Sequence, residues 1–151
     1  MSFQEKNIVV TLVNFSLILI YFLARIGYMW ATDSFESGAV FRLWGIIIVL
    51  AIVVTILATI LTHIVSAIIE AIRTGTDNPD IEDIQDERDQ LIDLRGTKVT
   101  YSVSSFGIAL AMLSFVLDQP PLVMFSLLIF VGLVAQIVGD ATRLALYRRG
   151  F

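Results

Sequence analysis

The side chains that could do chemistry in this sequence are few, and they fall into three groups. The first runs along one apolar stretch: Thr55, Thr59, Thr62, His63, Ser66 and Glu70. At helical pitch these six cover roughly 100° of circumference, a stripe of hydroxyls ending in an imidazole and a carboxylate. An imidazole can titrate near neutral pH, and such a stripe must face protein or water rather than lipid. The second group is Gln136, Asp140 and Arg143, on one face of the last apolar stretch with Gly132 and Gly139. Asp140 and Arg143 stand three residues apart and can pair along a helix. The third is Arg88 and Arg95, placed in the middle of an apolar helical stripe formed by Ile81, Ile84, Leu91 and Ile92. An ordinary surface helix does not put arginines there.

None of the three reads as a catalytic constellation. The chain has one histidine and no cysteine, which removes disulfides, thiolate metal sites and thiol nucleophiles together. No Ser-His-Asp arrangement has supporting context. A metal centre would have to draw on His63, Glu70 and Asp140, and nothing in their spacing enforces it. No metal, no cofactor and no enzymatic activity are therefore expected. His63 reads as a hydrogen-bonded residue between helices, and Glu70 and Asp140 as partners of Arg88, Arg95 or Arg143. Together with Gln136 they would form a polar pocket facing the cytoplasm.

The elements that must position these groups are membrane helices. Hydrophobic residues make up 57% of the 151 positions, mean hydropathy is +0.85, and charged residues are only 16%. A soluble chain carries about 25% charged residues. A bilayer core about 30 Å thick takes about 20 apolar residues per helix. Four such stretches fit, over about 8–31, 43–72, 99–117 and 122–147. The first is too long for a signal-peptide core and lacks a small-residue cleavage site. The expected fold is an all-α membrane protein, one membrane domain of two antiparallel hairpins.

Each stretch carries its own signal. In the first, Thr11, Asn14, Tyr21, Arg25 and Tyr28 fall at spacings of three, seven, four and three, one helical face expected to be a helix–helix seam. Tyr28, Trp30, Phe35, Phe41 and Trp44 bracket a short loop and read as an interfacial aromatic belt. The second stretch is longer than a span needs and should tilt or protrude. In the third, Thr100, Ser104, Gly107, Ala111 and Ser114 make a small-residue face for close packing. Asp118-Gln119-Pro120-Pro121 is a tight turn into the fourth.

Between the two pairs lies the polar stretch 75–98, with eight of the fourteen acidic residues. Residues 76–80 read as a turn and 81–95 as a separate amphipathic helix. Glu82, Asp83, Asp86, Glu87, Asp89 and Asp93 form its opposite, solvated face, whose spacing matches no Ca²⁺ loop. Either the helix lies on the inner leaflet with its arginines at lipid phosphates, or it folds back so that Arg88 and Arg95 meet Glu70 and Asp140. The second arrangement is favoured slightly.

Orientation follows from the basic residues. Lys6, Arg73, Arg88, Arg95, Lys98, Arg143, Arg148 and Arg149 lie on one side; Arg42 lies on the other, with Arg25 near that boundary. Both termini and the polar stretch should be cytoplasmic. No basic cluster is long enough to bind nucleic acid.

The run Asp86-Glu87-Arg88-Asp89-Gln90-Leu91-Ile92-Asp93-Leu94-Arg95-Gly96 followed by Tyr101 resembles a family of small four-span prokaryotic membrane proteins of unknown function. Its members are similar in having two hairpins joined by a cytoplasmic Asp-Glu-Arg-Asp segment and a Tyr-Arg-Arg-like end. The resemblance implies an architecture and the inner membrane, and no activity. Two functions from different classes then follow. One is a non-enzymatic scaffold or accessory subunit that associates with itself or with other membrane subunits, motivated by the small-residue faces of Ser104, Gly107, Ala111, Gly132 and Gly139. The other is a transporter or ion or proton pathway that uses the Thr55–Glu70 stripe.

Overall fold

A computed structural model shows four helices: α1 (Phe3–Ala31), α2 (Ser37–Thr74), α3 (Glu87–Val116) and α4 (Pro121–Arg149). It describes residues 3–74 and 87–149, apart from the side chains at 3, 58, 62, 66, 69, 70, 73 and 74. The turn at 76–80, the helix start at 81–86 and the side chains of Thr62, Ser66 and Glu70 thus lie outside the described residues. All four helices are long and apolar enough to cross a bilayer, so the protein is a multi-pass helical membrane protein.

Each helix reaches further than its apolar run. Hydropathy marks the length immersed in lipid, whereas the helix continues wherever no residue stops it. The largest difference is in α3. A separate helix over 81–95 was expected ahead of a span beginning at Val99; instead one helix runs unbroken from Glu87 to Val116. Gly96, at the expected break, is buried inside it. A Cβ there would collide with the Arg143 side chain, so this glycine permits close approach instead of ending a helix.

The two short connections end their helices in the same way. At 32–36, Asp33 takes a φ of 54° and the Ser34 amide donates to the Met29 carbonyl at 2.9 Å. At 117–120, Asp118 takes a φ of 59°, the Gln119 amide donates to Ser114 at 3.1 Å and the Asp118 amide to Phe115 at 3.2 Å. These are left-handed caps that satisfy the last carbonyls of α1 and α3, with Asp where Gly is commoner. Pro121 then opens α4 at the first helical position, where its missing N–H costs nothing.

In space the order is α3, α4, α1, α2. α3 lies against α4, α4 against α1, and α1 against α2, with only light contact between α2 and α4. The apolar core is built by Ile18, Phe22 and Met29 of α1, Val40, Leu43 and Ile47 of α2, and Leu133 of α4. Of the expected polar seam of α1, Thr11 faces α3 and α4, whereas Tyr21, Arg25 and Tyr28 are exposed and Ile18, Phe22 and Met29 are buried instead. Large apolar side chains fill the space between α1 and α2. The Arg25 guanidinium instead rests 5.7 Å from the Tyr28 ring centre.

At the loop end, aromatic residues join α2 to α4. Trp44 Nε1 donates to the Phe125 carbonyl at 3.2 Å, and Phe41, Trp44 and Phe125 pack ring to ring at 5.4–6.5 Å. No described side chain of α2 beyond Ala51 belongs to the core, and Ile52, Ile56, Ile60, Ile64, Ile68 and Ile72 are all exposed.

Candidate functional site

The site is a polar cavity at the end of the bundle opposite the two short loops. Three helices build it. The first turns of α1 contribute Gln4, Asn7, Ile8 and Thr11; the start of α3 contributes Asp89, Ile92 and Asp93; the end of α4 contributes Gln136, Asp140, Arg143 and Tyr147. It encloses about 220 Å³. The helices can come this close because their contact residues are small. A Cβ on Gly139 would strike Thr100 Oγ1 and sit 3.3 Å from the Gly96 carbonyl, and one on Gly107 would strike Val131. Ala111 and Ala135 are also buried on this seam.

Asp140 is the only charged side chain among the described residues in the buried class, at 3% exposure. Burying a carboxylate without partners costs several kcal/mol, and here the partners are present. Arg143 Nη1 donates to its Oδ1 at 2.9 Å, and Gln136 Nε2 donates to both oxygens, at 3.1 and 3.2 Å. The remaining arms of the guanidinium reach across to α3: Nε to Asp93 Oδ1 at 2.9 Å and Nη2 to Thr97 Oγ1 at 2.7 Å. One arginine thus ties α4 to itself and to α3, as its planar fork of donors allows. One turn further on, the Tyr147 hydroxyl donates to Asp89 Oδ1 at 2.8 Å.

Of the residues singled out in the sequence, the structure brings together Gln136, Asp140 and Arg143. Arg88 lies beside them in another role: Nη2 donates to the Tyr147 carbonyl at 3.4 Å, and the guanidinium sits 5.9 Å from the Tyr147 ring centre. Arg95 is exposed. The expected pairing of Arg88 or Arg95 with Asp140 is replaced by Arg143, which is already on the same helix and needs no long-range docking. Ile92, between the two arginines, is the residue that turns inward, at 1% exposure. His63 is exposed, on the half of α2 beyond Ala51, and Thr55 and Thr59 lie half-buried on that half too. They do not join the cavity.

The small-residue residues divide similarly. Gly107, Ala111 and Gly139 pack between α3 and α4, and Ser104 is half-buried on the same face. Gly132 is exposed with open space around it; α4 presents Val131, Ala135 and Gly139 instead, a face one residue away. These small residues are therefore spent inside the chain. Sequence reasoning also passed over Asn7, Thr97 and Tyr147. A polar residue one turn into an apolar helix at 7, and a Tyr in register with Asp140 and Arg143, were the available signals.

Fold and site together define a four-span helical membrane protein with a polar cavity at one end. No family model, no curated protein and no solved structure matches the chain.

Proposed function

We propose that this protein is a non-enzymatic membrane module, a scaffold or accessory subunit, that associates with a second copy or another membrane chain through the free half of α2. The observation that carries this is that no described side chain of α2 beyond Ala51 belongs to the core, while its described isoleucines from 52 to 72 are exposed. α2 has 38 residues, about 57 Å of helix at 1.5 Å per residue, against a lipid core of about 30 Å. The half beyond Ala51 carries Thr55, Thr59 and His63; the Thr59 hydroxyl is satisfied by the Thr55 carbonyl at 2.9 Å, and small hydroxyl residues of this kind let membrane helices approach closely. The cavity's one guanidinium is engaged on three sides by Asp93, Thr97 and Asp140, as befits a clamp between α3 and α4. In this reading the helices form two antiparallel hairpins in a prokaryotic inner membrane. Both termini, the cavity and the 75–98 stretch face the cytoplasm, where the basic residues cluster.

The chain has no cysteine, so single-cysteine variants report without background. Thr55→Cys and Thr59→Cys should form disulfide adducts in native membranes, to a second copy or to another chain. Cysteines at Leu23 and Leu113, exposed on α1 and α3, should not. A monomeric particle in several detergents, with no adduct at either α2 position, would sink the proposal.

The second reading is a pathway for ions or protons along the Thr55–Glu70 stripe. It is favoured by the exposed His63 with Thr55 and Thr59 on the same half of α2, and it also needs a second copy to close the path. Vesicles would show a flux that falls in His63→Ala and Glu70→Gln; intact vesicles with no flux would dismiss it.

A further inference from the structure

The cavity between α1, α3 and α4 has hydrogen-bond capacity and charge that its own residues do not use. Its walls hold three carboxylates (Asp89, Asp93 and Asp140) against one guanidinium, Arg143. The guanidinium is engaged through Nε, Nη1 and Nη2, and the Tyr147 hydroxyl proton is given to Asp89. The Gln136 amide nitrogen serves Asp140. The one cationic donor is thus committed, and the carboxylates outnumber it three to one. Asn7 supplies an independent sign: its Oδ1 is buried and accepts no hydrogen bond among the described residues. A buried amide oxygen left unsatisfied costs on the order of 1–3 kcal/mol.

From this imbalance we infer that the cavity binds a primary ammonium group, with Asn7 Oδ1 as an acceptor and Asp89 and Asp93 as counter-charges. An ammonium offers three N–H donors and no acceptor, the complement of such a lining. A bare divalent ion is a poorer match, since no three His, Asp or Glu among the described residues converge as metal ligands. The volume of about 220 Å³ corresponds to about seven waters at about 30 Å³ each, enough for a two-carbon amine. Arg88, exposed over the Tyr147 ring, and the exposed Arg148 and Arg149 in the last turn of α4 leave cations nearby for an attached phosphate. The ammonium could thus arrive on a soluble amine or on an aminophospholipid headgroup. The inference is independent of how α2 assembles.

The full chain in phosphatidylcholine nanodiscs provides the test, read by its melting temperature. Ethanolamine should raise it and choline, which has no N–H, should not; this outcome assigns a soluble amine. A rise only when phosphatidylethanolamine replaces part of the phosphatidylcholine assigns the lipid headgroup. In either case Asn7→Leu and Asp89→Asn should weaken the response about tenfold, as loss of one hydrogen bond to a charged group implies. Equal responses to ethanolamine and choline, a lipid effect of the same size in both variants, or no response in either arm would overturn it.

Discussion

α3 and α4 meet through small residues from Gly96 to Ala111, whereas the described core of α1 and α2 is built of large ones near their shared loop. Lipid is as apolar as leucine, so helices in a membrane gain little by hiding apolar surface from it. What holds them is close contact and polar bonds. The α3–α4 pair has both: Gly96, Gly107 and Gly139 at the contact, and the Arg143 network at its end. The α1–α2 pair has large core side chains such as Phe22 and Leu43, and past Ala51 no described side chain of α2 joins that core. One pair is closed within the chain, while the other leaves half a helix available.

The sharpest way to break this contrast is to remove Arg143. Arg143→Met leaves the Asp140 carboxylate buried with only Gln136 and its Thr11 neighbour to answer it. Unpairing a buried ion pair costs about 3–5 kcal/mol. Thermal or denaturant unfolding in detergent should show a loss of that order, centred on separation of α3 from α4. The double variant Arg143→Met with Asp140→Leu should recover much of it, because no charge is then stranded. If the single variant unfolds like the wild type, the network is not what pins this end.

The next effect is steric. Gly139→Val places side-chain atoms where Thr100 and the Gly96 carbonyl already sit, and overpacking of this kind costs about 1–3 kcal/mol. Gly107→Val should behave alike against Val131. Gly132→Ala is the contrast, with nothing within 4 Å, and should change stability by less than about 0.5 kcal/mol. Equal losses at 132 and 139 would mean that another copy, not α3, covers α4.

How much of this was readable beforehand depends on which force set each feature. The spans were legible because lipid demands unbroken apolar length, and the turn at Asp118–Pro121 because proline leaves few options. The small-residue face of α3 was legible at Gly107 and Ala111. On α4, Gly139 packs against α3 but Gly132 does not, since Gly132 and Val131 differ by only 100° and side-chain size alone does not say which faces a neighbour. Gly96 looked like a boundary because glycine is ambiguous between a break and a close approach. In the site, the Asp140–Arg143 pair follows from local spacing, but Asp93, Thr97 and Tyr147 depend on how α3 is docked. Sequence periodicity carries no information about that docking.

The smallest effects test α2, whose two ends should respond differently. At the loop end, Trp44→Phe removes the Nε1 bond to the Phe125 carbonyl while keeping most of the ring contact with Phe41 and Phe125. Polar bonds between membrane helices average about 0.6 kcal/mol, so a loss of that size is expected. At the free end, Ile56→Ala and Ile60→Ala remove exposed side chains outside the described core. Unfolding of the isolated monomer should be unchanged within about 0.5 kcal/mol, while adduct formation at Thr59→Cys in membranes should fall if these residues line an intermolecular face. A clear loss of monomer stability at Ile56 or Ile60 would mean that α2 returns to its own bundle in lipid, and the contrast between the two helix pairs would disappear.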